Sequence, residues 1–409
     1  MTVTTELIIQ DGTYLAYPSA PWRRADGSLA FIYARGVQPL WPYRDINDIW
    51  LATSTDNGET WATEYIFEVG GPELEVVCNA AAGITSTGTE LVILGSLWVS
   101  DIPTWGMTYH PVQVWRKPAG GSWGRVDDIA PYPAEHTALN PGSWKFTVLP
   151  NGTIRLLMQG WNVAKTVAYL HYVDSTDDGL SWSDPVVIFS GTISGSIPSE
   201  CSYYADGDNH VIVARVHDEV NPATGCAYFT SADAGVNWSY RGLITEDWVT
   251  LPTLHRLRDS RLAMFYGNRT RSPRTMSIRV GEFADIMAGA VGAWSEDIIV
   301  AEVESYYTTD MGYGGLFEAV DGSDASLSAV YFGGGPTVAN IYQATGVLPA
   351  IGAALGYRVA AGACHHNLET ARLIDNRIAT VYDGTTPYTY QLVDGVPVEV
   401  ATPSRIRSY

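Results

Sequence analysis

The side chains in this chain best able to do chemistry are carboxylates, arginines and a few tyrosines at the ends of β-rich runs. Glu200 follows Pro198-Ser199 at the start of one run, and Arg215 follows the next, with His217 and Asp218 just beyond. Arg269 and Arg271 alternate at a further strand end. Tyr313 lies in Asp310-Met-Gly312-Tyr313-Gly-Gly, Tyr109-His110 opens another run, and Asp45 and Asp48 precede Ile49. A carboxylate can move a proton, and a guanidinium offers a planar fork to an anion. A tyrosine is a nucleophile only where a base takes its proton. Each of these residues also has a structural reading as a salt bridge, turn cap or packing group. Metal chemistry is not indicated. His365-His366 are adjacent, so on a strand they point to opposite faces. Cys78, Cys201, Cys226 and Cys364 lack paired spacing, and no Asp-rich loop has calcium-ligand spacing. No metal or other cofactor is expected.

A repeated unit positions these residues. Trp61, Trp123, Trp182, Trp238 and Trp294 recur at steps of 62, 59, 56 and 56 residues. Three of them end one phrase: Ser54-Thr-Asp56-Asn-Gly58-Glu-Thr60-Trp61, Ser175-Thr-Asp177-Asp-Gly179-Leu-Ser181-Trp182 and Ser231-Ala-Asp233-Ala-Gly235-Val-Asn237-Trp238. Tight-turn pairs such as Asp26-Gly27, Asn151-Gly152, Asp206-Gly207 and Asp321-Gly322 separate apolar strands such as Leu29–Tyr33 and Val211–Ala214. A third strand leads into the tryptophan phrase and a fourth follows it. Four antiparallel strands per unit, repeated around a ring, predict an all-β fold, a six-bladed β-propeller. The alternative is seven blades, the last formed by residues 349–409. The domain expectation is a propeller over 1–348 and a C-terminal extension or additional blade over 349–409. Counted from the ladder, Asp45, Glu200, Arg215, Arg269 and Tyr313 all fall at strand ends facing one mouth of the ring.

Bulk charge narrows the partners. A net charge of −20 repels phosphate backbones and anionic membranes, so neither nucleic acid nor membrane binding is expected. A local arginine cluster can still hold an anionic sugar at short range. No run of 18 apolar residues and no signal peptide is seen, which predicts a protein that is cytoplasmic, virion-associated or released by a non-classical route. Aromatics reach 11%, which suits β packing first and sugar rings second.

The repeated phrase resembles the Asp-box (BNR repeat) of sialidases, also called neuraminidases, and the chain is similar to that superfamily over about residues 1–348. Further landmarks carry the resemblance. They are Tyr14-Leu-Ala-Tyr17-Pro18-Ser19 with Ala34-Arg35-Gly36, Pro198-Ser-Glu200 with Val213-Ala-Arg215, Phe265-Tyr266-Gly-Asn268-Arg269, and Asp310-Met-Gly312-Tyr313. The resemblance implies a glycoside hydrolase whose partner is a glycan. Tyr313 would be the nucleophile, Glu200 the base paired with it, and Asp45 the general acid. Arg35, Asp48, His110, Arg215, His217, Arg269, Arg271 and Asp310 would contact substrate. It also implies that the box itself is structural and lies on the face away from the chemistry. The family's first arginine, in an Arg-Ile-Pro phrase, corresponds here to Ala16, and its Glu-x-Arg carries Tyr33. Arg23, Arg24 or Arg35 would have to compensate. Asp310-Met-Gly-Tyr313 reads more like Asp-box glycosidases of other specificity. The competing readings are a propeller polysaccharide lyase using His110, His217 and Tyr313, and a non-catalytic glycan- or receptor-binding module such as a phage tail component.

Overall fold

The second strand of each repeat is apolar without alternation, and in the fold it is covered on both faces. Leu91–Leu94, for example, are each fully buried, as are Val211–Ala214. A strand sandwiched between two sheets loses the period-two pattern, because neither face meets water. This condition recurs around a six-bladed β-propeller. The computed structural model describes residues 3–10, 14–36, 46–69, 75–101, 106–109, 111–126, 128–129, 140–162, 167–217, 225–303, 311–321, 324–334, 339–345, 372–375, 378–383, 386–393 and 396–400.

Blade four shows the plan. Ile197–Asp206 is the innermost strand, followed outward by Asn209–His217, Cys226–Ser231 and Ser239–Thr245, all antiparallel. Blade five repeats it with Thr253–Arg256, Arg261–Asn268, Arg274–Glu282 and Ile298–Val303. In blade three the inner strand is split into Asn140–Pro141 and Thr147–Val148. In blade one it is split into Tyr14–Ala16 and Trp22–Arg23. Each split gives residues near the axis an irregular backbone.

Blade six departs from the plan. Gly312–Asp321, Asp324–Gly334 and Ala339–Thr345 supply three strands, and the fourth is Thr4–Ile9 from the opposite end of the chain. Its register runs antiparallel from Thr4 opposite Thr345 to Ile9 opposite Ile341. The ring is therefore complete with six sheets, and the seven-blade alternative does not hold. The physical reason is edge pairing: the outer edge left by three strands is satisfied by the N-terminal strand. Residues Gly352–Tyr409 form a separate compact unit, whose described strands run Arg372–Asp375, Ile378–Asp383, Thr386–Val393 and Val396–Val400 as an antiparallel meander.

The tryptophan turns have one geometry. Ser54 Oγ donates to Asp56 Oδ1 at 2.7 Å and accepts from Gly58 N at 2.8 Å, while Thr60 N donates to Asp56 Oδ1 at 2.9 Å. The same three bonds recur at Ser175-Asp177-Gly179-Ser181 and at Ser231-Asp233-Gly235-Asn237. The residue before each glycine is left-handed as well: Asn57, Asp178 and Ala234 lie at φ 59°, 58° and 59°. Two successive left-handed residues explain the fixed glycine, since only glycine accepts this conformation at little cost. In blade five a short helix, Phe283–Ala288, replaces the phrase and ends at Gly289, φ 68°. Trp294 keeps its place in the ladder because it fills the same kind of interblade site, packed on Tyr228 of blade four. The closing interface is stapled by Trp61 Nε1, which donates to Gln343 Oε1 of blade six at 2.9 Å.

Candidate active site

The strand ends opposite the tryptophan turns carry the strained backbone. In blade four Ser199 faces Arg215 and Cys201 faces Ala214, so Glu200 is the extra residue of a β-bulge, at φ 28°. Bulges re-aim a side chain. The neighbouring blade holds this one in place: Glu200 N donates to Gln159 Oε1, and Cys201 N donates to Gly142 O. Blade six has a larger irregularity. Gly312 faces Phe332 and Gly315 faces Val330, so Tyr313 and Gly314 are looped out between them. Gly312, Tyr313 and Gly314 all have positive φ, at 112°, 53° and 91°. A Cβ on Gly314 would overlap the Val330 carbonyl oxygen, so the loop can close only with glycine there.

These two distortions bring residues 113 positions apart into contact. Tyr313 Oη donates to Glu200 Oε1 at 3.1 Å. Arg215 Nη1 donates to Glu200 Oε2 at 2.8 Å. The two carboxylate oxygens thus hold one neutral and one cationic donor. The Glu200 and Arg215 side chains are 13% and 9% exposed, so the group borders solvent without being bathed in it. The Tyr313 ring is fixed by three more aromatics. Tyr17 and Trp144 meet it edge-on, each 5.0 Å between ring centres, and Phe332 lies at 5.6 Å. Tyr17 in turn stacks on Trp144 at 5.5 Å. Edge-to-face contacts of this kind add to simple burial and fix ring orientation. Blades one, three, four and six therefore converge on one phenol.

The other anticipated residues are distributed more widely. Arg35 lies opposite Asp48 in blade one, and its guanidinium carbon sits 4.9 Å from the Trp50 ring centre. Asp48 in turn faces Glu68. Arg269 lies 5.3 Å over Trp248, and its N–H donates to Trp248 O. Arg271 is exposed and pairs with Asp297 Oδ2 at 3.1 Å. That carboxylate is also bound by Arg279 and Asn268, and by the Tyr266 hydroxyl, so Arg271 belongs to a blade-five network. His217 ends its strand opposite Ile197, two residues past Arg215. Asp45, His110 and Asp310 lie outside the described residues. Arg23 and Arg24 do not compensate for the absent arginine at Ala16. They lie at the opposite strand end, where Arg23 binds Gly27 O, Asn57 and Glu318 O, and Arg24 binds Glu90.

Tyr17, Trp144, Gln159 and Phe332 were not singled out from the sequence. Tyr17 had a faint signal as the residue after Ala16, and Trp144 stands outside the tryptophan ladder. Gln159 and Phe332 had none. Lys145, next to Trp144, spans from blade three to blade five and donates to Leu254 O. Burial without a carboxylate pushes its ammonium down to about 8, and burial together with Lys145 holds His255 at about 3. Among the described residues, no group of three or more His, Cys, Asp or Glu could hold a metal ion.

No protein-family model and no curated protein matches this chain. Solved structures do share the fold. A Dyadobacter fermentans protein described as of unknown function superposes with a TM-score of 0.63 at 17% identity, covering 84% of this chain and 98% of its own. A Hadza microbial sialidase gives 0.56 at 16% identity, covering 81% of this chain and 65% of the other. Trypanosoma rangeli sialidase in complex with sialic acid gives 0.59 at 13% identity, covering 86% and 59%. The chain thus spans under two thirds of the length of these two sialidases. At such identities the likeness is one of fold: a sialidase-like β-propeller.

Proposed function

We propose that this protein is a glycoside hydrolase of sialidase-like type that cleaves a terminal sugar from a glycan at the propeller mouth. The observation that carries the reading is the hydrogen bond from Tyr313 to Glu200, with Arg215 on the other carboxylate oxygen. The solved sialidases of the same fold support it by analogy of architecture. In the proposed reaction Tyr313 Oη bonds to the anomeric carbon as the glycosidic bond breaks, and Glu200 Oε1 takes the phenolic proton. Asp45, the proposed general acid, protonates the departing oxygen, and water then releases the sugar. Arg215 keeps Glu200 oriented. Arg35, Asp48, His110, His217, Arg269, Arg271 and Asp310 remain proposed substrate contacts.

The test is a panel of aryl glycosides assayed with wild type, Tyr313→Phe and Glu200→Gln. Loss of a nucleophile or its base costs about a thousandfold or more in kcat when chemistry limits turnover. Equal activity in wild type and Tyr313→Phe sinks the assignment of Tyr313. Glycan binding that survives both substitutions, without turnover of any glycoside, establishes a carbohydrate-binding propeller instead.

A further inference from the structure

We infer that Gln159 is a positioning residue for the proposed reaction: its side-chain oxygen, reaching over from blade three, sets the Glu200 carboxylate at hydrogen-bond distance from Tyr313. This rests on the Tyr313–Glu200 pair being the catalytic one, as proposed above, and adds the residue that acts through it.

The extra residue of a bulge has no partner across its ladder. Ser199 faces Arg215 and Cys201 faces Ala214, so Glu200 is paired with neither. In a regular strand successive N–H groups point to opposite edges. Here the N–H groups of Glu200 and Cys201 both turn to blade three, onto Gln159 Oε1 and Gly142 O. Glu200 has φ 28°, a conformation that residues with a Cβ rarely adopt and keep only where the surroundings impose it. Blade three is what imposes it. Gly142 completes the seat, since a Cβ there would come within 2.6 Å of Cys201 Sγ.

Gln159 is a buried amide in apolar company. It is 5% exposed on Ile154–Trp161, where Leu156, Leu157 and Met158 are at most 2% exposed. An amide in such surroundings is unfavourable unless hydrogen-bonded. The group it meets is a backbone N–H, so it must present oxygen, and methionine of similar shape has no equivalent acceptor. Without that acceptor the Glu200 N–H loses its partner, and the bulge relaxes toward a commoner φ. Relaxation swings the carboxylate off Tyr313 Oη, which now donates to it at 3.1 Å. A misplacement of about 1 Å costs about 100-fold in rate.

The experiment is a double-substitution cycle on the aryl glycoside that wild type turns over best, with Gln159→Met, Glu200→Gln and the two together. Gln159→Met is expected to lower kcat about 100-fold and to leave KM within about twofold, because it acts through Glu200 and not on the sugar. In the Glu200→Gln background the same substitution is expected to cost less than about twofold, since the group it positions is already gone. Equal losses in the two backgrounds, a loss carried by KM, or wild-type kcat in Gln159→Met each overturn the inference. If wild type turns over no glycoside, the hydrolase reading falls, and the positioning is read from crystals instead. Gln159→Met should then separate Tyr313 Oη from Glu200 Oε1 beyond about 3.5 Å, and an unchanged contact overturns the inference. If Gln159→Met does not fold, amide exchange of wild type decides. Exchange of the Glu200 N–H at least about 100-fold slower than an unprotected amide upholds the anchor, and unprotected exchange overturns it.

Discussion

Replacing Lys145 with methionine should make the protein more stable at pH 7, although it deletes a hydrogen bond. The Lys145 side chain is partly buried, its ammonium donates to Leu254 O, and it has no carboxylate within ion-pair distance among the described residues. Burial holds it down to about 8 from the usual 10.5. A lysine with a depressed folded pKa binds its proton more weakly in the native state than in the unfolded one. Native stability therefore rises as pH climbs from about 8 to 10.5 and is lowest below that window. The difference corresponds to about 3 kcal/mol at pH 7. Methionine removes that cost and gives up about 1 kcal/mol for the lost hydrogen bond. The net expectation is a gain of about 2 kcal/mol at pH 7 that vanishes by pH 10. Tyr203 and Tyr331, held up to about 12 by burial, titrate in the opposite sense above pH 10, but equally in both proteins. Urea unfolding followed by tryptophan fluorescence at half-unit steps from pH 7 to 10 reads the difference directly. A variant less stable than wild type at pH 7, or a gap that does not narrow with pH, refutes the reasoning.

Further expectations concern the turns, the phenol loop and ring closure. Asp56 and Asp233 are held at about 2, Asp56 first by the Thr60 hydroxyl and Asp233 first by the Asn237 N–H. Their contribution to stability is full above pH 3.8 and fades as pH falls through 2, so Asp56→Asn should flatten the acid limb of a melting-temperature profile. Gly314→Ala should cost about 2 kcal/mol or more, from a positive φ of 91° and the Val330 carbonyl. It should also abolish turnover more completely than it lowers the melting temperature. Removing residues 1–10 leaves the Ala339–Thr345 edge bare, and the product is expected to self-associate in size-exclusion chromatography. A monomeric, fully stable product would contradict the closure described here.

Much of the architecture was legible because it repeats. The serine, aspartate and glycine of the tryptophan phrase are bonded within a few residues of each other, so local chemistry dictates both the residues and the turn. The doubt over six or seven blades had a physical source. Closure uses Thr4–Ile9 against Ala339–Thr345, a pairing between chain ends that no local pattern announces. Trp294 fitted the ladder without its phrase because a helix took over the turn.

Glu200, Arg215 and Tyr313 stood out in the sequence by type, by order and by their place at strand ends. Their meeting did not. It depends on a one-residue bulge in blade four, anchored by Gln159, which the sequence leaves unmarked, and on a two-residue loop in blade six. Nor could the sequence tell that Arg23 and Arg24 serve the far end, or that Tyr17 and Trp144 wall the phenol. Repetition and turn chemistry are short-range properties, written wherever the residues stand. Side-chain meetings across a ring depend on how six sheets pack, and only the folded chain sets those distances.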